Sequence, residues 1–239
     1  MKKLILMGII VAIYTLLIFT GCPDMGGLLN PTPRPTVGPT PTLGPPMILI
    51  EGFVYQDSEW TYADITLYDS NNELPINDAT VTVNGADCEP YSGGHYLGDV
   101  SALSAGSSVS FVITGTGFSV NETLNMPNAT SSITSPTEGS NKNADASLNV
   151  NWNKINSNTP QHLIVYVEGF WTDNGDDYKV EVATSTTSHT IPANTLLPAQ
   201  DDIELKVISI NSVFPSGAII DPDSYLDVYN VVMRKFNTN

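Results

Sequence analysis

The sequence predicts an all-β protein: two tandem β-sandwiches behind a signal peptide and a Pro-rich linker. Three observations predict it. After position 47 apolar residues alternate with polar ones instead of recurring at helical spacing, as half-buried antiparallel strands require. Turn-forming pairs, Asn84-Gly85, Gly93-Gly94 and Asn174-Gly175, punctuate those runs. Finally, the 193 residues from Met47 to Asn239 suffice for two domains and exceed one sandwich of about 100 residues.

At the N-terminus, Lys2-Lys3 precedes an almost wholly apolar run from Leu4 to Thr20, then Gly21-Cys22. A positive start, an apolar middle and a small residue mark an export signal. Phe19-Thr20-Gly21-Cys22 resembles the lipobox of bacterial lipoproteins, with Phe19 where Leu is usual. The resemblance implies that residues 1–21 are removed and that Cys22 carries acyl chains such as palmitate. Each buried methylene of such a chain contributes ~0.8 kcal/mol, so two or three chains hold a domain on a membrane. An uncleaved signal anchor is the other reading of these residues and leaves the protein on the same membrane. Asp24 stands two residues after Cys22 and not directly after it, which favours the outer membrane or cell surface.

Residues 22–46 form the linker. Asn30 to Pro46 holds 7 of the 17 prolines and one charge, Arg34. Proline fixes φ and lacks an N–H, so this stretch joins no sheet and continues no helix. At ~3.1 Å per residue in polyproline II, residues 31–46 reach roughly 50 Å. It reads as a spacer; a Pro-rich docking ligand or a glycosylation stalk is the alternative.

The first sandwich is expected over 47–130, with strands near 48–56, 60–69, 79–84, 95–97, 107–114 and 118–124. The stretch Ala79-Thr80-Val81-Thr82-Val83-Asn84-Gly85, with Leu103 to Val109 after it, resembles small immunoglobulin-like modules of bacterial surface proteins. The second sandwich is expected over 131–239. Leu148-Asn149-Val150-Asn151-Trp152 is similar to strand B of fibronectin type III domains, whose inward Trp fills the core. That likeness implies strand A beginning near Ser135-Pro136-Thr137, C over 163–169, C′ over 178–183, F over 203–211 and G over 225–236. One departure is that Ile203 stands where the family places its corner tyrosine, so the usual hydroxyl-to-backbone bond cannot form.

Composition narrows the function. With 9 Lys+Arg against 25 Asp+Glu and a net charge of -16, the chain has little to neutralise phosphates, which argues against nucleic acid. Two Cys and three scattered His do not make a zinc site, and no cofactor motif is present. Cys88, flanked by Asp87 and Glu89, reads as a small buried hydrophobe whose thiol those acids push up. No sharp Gly-x-Ser-x-Gly turn offers a nucleophile, and His95, His162 and His189 each open an expected strand.

Two acidic stretches offer oxygen ligands to a cation: Asp173, Asp176 and Asp177 around Asn174-Gly175, and Asp221, Asp223 and Asp227. The first also reads as a type I′ hairpin turn. For sugars, Trp60 and Trp171 head the candidate stacking residues, with Tyr62, Tyr91 and Tyr96 beside them, while Trp152 is expected inside. The combined expectation is a non-catalytic cell-envelope lipoprotein, membrane-bound through its lipid, displaying an adhesion or binding surface to an envelope protein or glycan. A carbohydrate-binding accessory module and an envelope hydrolase are the alternatives.

Overall fold

The computed structural model describes residues 47–127, 130–154 and 159–239. The signal peptide, Cys22 and the linker lie outside the described residues.

The described chain is all-β. Its first lobe contains β1 (Ile48–Gln56), β2 (Thr61–Asp69), β3 (Leu74–Pro75), β4 (Thr80–Val83), β5 (Ala86–Pro90), β6 (His95–Asp99), β7 (Ser108–Gly115) and β8 (Phe118–Asn125). The second contains β9 (Thr130–Ser135), β10 (Asn141–Lys142), β11 (Leu148–Lys154), β12 (His162–Val167), β13 (Tyr178–Val182), β14 (Ser188–Ile191), β15 (Ile203–Val213) and β16 (Tyr225–Thr238).

In the first lobe β1, β2 and β6 run antiparallel side by side, and β4, β7 and β8 do the same. Strand β5 joins the two groups, pairing through Ala86–Cys88 with β4 and through Glu89 and Pro90 with β6. Asn84 and Gly85 both take positive φ (51° and 75°), the type I′ geometry that the β4–β5 turn calls for. Alternate residues of all these strands meet in one core: Ile50, Val54, Ile65, Leu67, Val81, Val83, Phe111 and Ile113 among them. Tyr96, an expected sugar-stacking residue, belongs to this core and is fully buried. Its period-2 alternation on β6 points it inward, where its hydroxyl accepts from Ala79 N (2.9 Å) and donates to Ile76 O (3.0 Å).

In the second lobe a three-stranded sheet, β14–β11–β9, faces β13–β12–β15–β16. Strands β11, β12, β13, β15 and β16 lie where the fibronectin type III resemblance implies B, C, C′, F and G, whereas β9 ends at Ser135, where it implies the start of strand A. Trp152 lies in the core with Ile133, Val150, Leu163 and Val165, and Ile203 fills the corner position with a buried aliphatic side chain.

The two lobes share strand β16. Its first half, Tyr225 to Asn230, pairs in parallel with β1, and its whole inner stretch pairs antiparallel with β15. Leu226 and Val228 point into the first core, Val232 packs against the second core and Phe236 lies in it. Residues 131–239 therefore do not serve one sandwich alone; the C-terminal strand runs through both. Gly52 on β1 makes room for this, since a Cβ there would meet Ile65 Cδ1 at 2.4 Å and Leu226 Cδ2 at 3.1 Å.

A shared strand should couple the lobes. Phe236→Ala removes a fully buried ring and is expected to cost about 3–5 kcal/mol. Calorimetry should show one cooperative transition, lowered as a whole; a first-lobe transition left at the parent temperature would contradict the coupling. Tyr96→Phe leaves two buried backbone groups, Ala79 N–H and Ile76 C=O, without their partner, and should cost roughly 1–3 kcal/mol in denaturant unfolding.

Candidate functional site

The residues singled out in the sequence fall in separate places. Trp60 sits in the β1–β2 turn, exposed, its N–H donating to Asp57 Oδ1 (2.7 Å). Trp171 lies in a 3₁₀ turn between β12 and β13 and packs on the second core, with the exposed ring of Phe170 against it at 3.8 Å between centroids. Trp60 packs on neither core while Trp171 packs on the second, and among the described residues no ring contact joins the two.

Asp173, Asp176 and Asp177 share the β12–β13 loop, and that loop is knitted to itself. Asp177 accepts from Gly169 N (2.7 Å) and from the Tyr166 hydroxyl (3.0 Å), one on each carboxylate oxygen. Thr172 Oγ1 donates within the same loop to Gly169 O and Asp176 O. Among the described residues no three His, Cys, Asp or Glu side chains converge as metal ligands. Asn174-Gly175 is also no type I′ turn, because only Gly175 has positive φ; the 3₁₀ turn lengthens the connection. In the second acidic stretch Asp221 accepts from Asp223 N (3.0 Å), which lowers its pKa, and Asp227 stands apart on β16.

The histidines all have partners. His95 Nδ1 lies 3.1 Å from Asp64 Oδ1 and 3.1 Å from Thr66 Oγ1. A nucleophile–His–acid relay needs its two partners on opposite ring nitrogens; here both sit on one. His162 Nδ1 meets Glu181 at 2.7 Å and His189 Nε2 meets the Tyr178 hydroxyl at 2.6 Å. Burial pushes the Cys88 thiol up to about 11, with Asp87 and Asp64 adding to it, so it stays protonated and unreactive at neutral pH.

What the structure does assemble is the outer face of β16–β1–β2–β6. On β1, Ile50, Gly52 and Val54 face inward, which leaves Glu51, Phe53 and Tyr55 outward. Register then aligns three cross-strand rows. Tyr225, Glu51, Thr66 and His95 form the first; Asp227, Phe53, Asp64 and Leu97 the second; Tyr229, Tyr55, Tyr62 and Asp99 the third. With strands about 4.8 Å apart and rows about 6.8 Å apart, the grid is roughly 14 Å on a side. Phe53 packs edge-on against Tyr62 (5.9 Å) and Tyr229 (5.7 Å), and Tyr55 lies 5.4 Å from Tyr62. Burial raises the pKa of Glu51, offset in part by His95.

Charge is distributed unequally along this face. In the second-lobe part of the sheet two acids are paired with lysines: Lys206 Nζ bridges Glu168 (3.4 Å) and Glu204 (3.5 Å), and Lys235 reaches Glu204 (3.2 Å). Residues 47–130 contain 11 Asp+Glu and no Lys or Arg. Reading the -16 charge as a single total hides this; counting it by lobe exposes it, and the alternation of Glu51, Phe53 and Tyr55 supplies the rest of the signal. That β16 would complete the grid was not visible, since nothing local to 225–230 says which strand it pairs with.

No protein-family model and no curated protein matches the chain. Among solved structures, the FN1–FN3 domains of chicken CNTN1 are 15% identical, with 78% of this chain and 67% of that chain covered and a TM-score of 0.24. The fibronectin(III)-like modules of Clostridium thermocellum CbhA are 12% identical, covering 80% of this chain and 95% of that one, at 0.25. Both neighbours are fibronectin type III proteins; at these TM-scores the β-sandwich description rests on this chain's own strand order.

The hydrogen bond that His95 donates to Asp64 raises the imidazole pKa above the ordinary 6.5. A raised histidine stabilises the fold fully below about 6.5 and loses that contribution as pH climbs through the elevated value. NMR titration should place the His95 midpoint above that of an unstructured His, and Asp64→Asn should bring it down; an unchanged midpoint would contradict the pairing.

Proposed function

We propose that this chain is a non-catalytic envelope lipoprotein that displays a binding surface, the outer face of β16–β1–β2–β6, away from the membrane. The observation that carries the reading is that face: side chains of four strands, held in register by a strand common to two cores, with no Lys or Arg on β1, β2, β6 or residues 225–230. Binding surfaces work best on rigid scaffolds, and a sheet anchored in two cores is one. The lipobox-like Phe19-Thr20-Gly21-Cys22 supports anchoring at Cys22, at the outer membrane or cell surface, and the proline-rich segment supports reach. The one-nitrogen arrangement of Thr66 and Asp64 at His95 supports a non-catalytic role.

A carbohydrate-binding accessory module is the second reading, favoured by the contiguous rings of Phe53, Tyr55, Tyr62 and Tyr229. Aromatic faces stack on pyranose rings, although edge-on packing gives a broken and not a flat platform.

In cells fed labelled palmitate, the parent should carry label and fractionate with membranes. Cys22→Ser should lose both; a variant that is processed, labelled and fractionated like the parent would overturn the lipoprotein reading.

A further inference from the structure

We infer that the β16–β1–β2–β6 face docks an extended, lysine-bearing segment of a partner protein. This rests on the display reading and adds the chemistry of what is displayed to.

The same sheet contains its own template. In its second-lobe half, Lys206 is 7% exposed, held between the carboxylates of Glu168 and Glu204 with its ammonium 5.8 Å from the centroid of the Tyr166 ring. Carboxylates supply the charge and the ring face supplies the cation–π attraction. The first-lobe half repeats these parts. Glu51 and Asp227 stand on neighbouring strands in adjacent rows, with Phe53 beside both and the Tyr225 and Tyr229 rings on the same strand as Asp227. What this half lacks is a lysine or arginine: β1, β2, β6 and residues 225–230 contain neither. Glu51 meanwhile is partly dehydrated, with His95 as the positive group that offsets it. A lysine ammonium placed there would meet the same kinds of group, carboxylates and aromatic rings, that surround Lys206 in the other half.

Spacing selects the form of the ligand. Rows on the face recur every two residues, about 6.8 Å, and so do same-side residues of an extended chain. A Lys-x-Lys segment lying along β1 therefore sets successive ammonium groups at successive rows. The first lobe, with 11 acids and no Lys or Arg, draws such a segment in from solution. A neutral glycan would use the rings but gain nothing from this charge.

The probe is fluorescein-labelled hexalysine, titrated by anisotropy against the full mature chain, beside its fully Nε-acetylated counterpart and the neutral sugars cellohexaose and chitohexaose. Glu51→Gln with Asp227→Asn keeps side-chain shape while removing two charges. Asp173→Asn with Asp176→Asn removes two charges from the β12–β13 loop instead, and thermal unfolding checks that both are folded. Hexalysine should bind the parent and the acetylated peptide should not. Affinity should fall roughly tenfold in the face variant and stay within about twofold in the loop variant. Equal losses in both variants would reduce the effect to bulk charge and overturn the inference. So would absence of hexalysine binding, binding of either sugar that depends on Glu51 and Asp227, or binding that emerges only when residues 22–46 are deleted, which would make the chain's own linker the occupant. A self-association lost in the face variant without hexalysine binding would assign the face to a second copy. None of these outcomes touches palmitate labelling at Cys22, so failure here is distinguishable from failure of the display reading.

Discussion

Strand β16 has to satisfy two hydrophobic cores with one face. From Leu226 to Phe236 every second side chain points the same way, and the core on the receiving side changes between Val228 and Val232. Asn230 marks the changeover, where its amide donates to Pro127 O (3.1 Å) at the end of the first lobe. Strand pleat makes this possible, because the two-residue repeat continues regardless of which partner strands lie alongside. Gly52 is the local accommodation: β1 gives up a side chain so that Ile65 and Leu226 approach across it. Domains joined by a linker move relative to one another by default; here the joint is a ladder of backbone hydrogen bonds.

Because the inner side of the sheet is committed to the cores, the outer side is set in register without freedom of its own. Tyr229, Tyr55 and Tyr62 are neighbours since Val228, Val54 and Ala63 are neighbours beneath them. Functional geometry is in this sense a by-product of core packing. The electrostatics are not. In the second lobe the half-buried Glu168 and Glu204 meet lysines, which limits the cost of burying charge. The first lobe instead carries its acids without any Lys or Arg to oppose them, and His95 partners Asp64, while on the shared strand Asp227 accepts from the Tyr229 hydroxyl. Self-repulsion of that kind lowers stability.

Strands with strong alternation were legible in sequence to within a residue or two: 48–56, 118–125, 148–154 and 203–213 all carry several β-branched or aromatic residues at period 2. Strand β5 was not. Ala86-Asp87-Cys88-Glu89-Pro90 buries one side chain and ends in proline, so its pairing is dictated by the strands on either side. Strand β14 likewise buries Ile191 alone. Tyr96 was misplaced because an aromatic beside Gly-Gly reads as a loop residue; its alternation with His95 and Leu97 would have turned it inward. For the candidate site, single aromatics such as Trp60 and Trp171 drew the eye, whereas the grid depends on which strands adjoin. Parallel pairing of positions 174 residues apart, Glu51 with Tyr225, leaves no mark on local composition.

The parallel pairing of β1 with β16 also decides how the molecule bears load. Tension applied through the segment preceding Met47 enters along the axis of β1, flanked on one side by β16 and on the other by β2. Its hydrogen bonds lie across that axis, so they are strained together in shear and cannot be peeled one at a time. A pull on Met47 would thus act against a strand bonded along both edges, and Glu51, Phe53 and Tyr55 on that strand would keep their spacing until the whole ladder gave way.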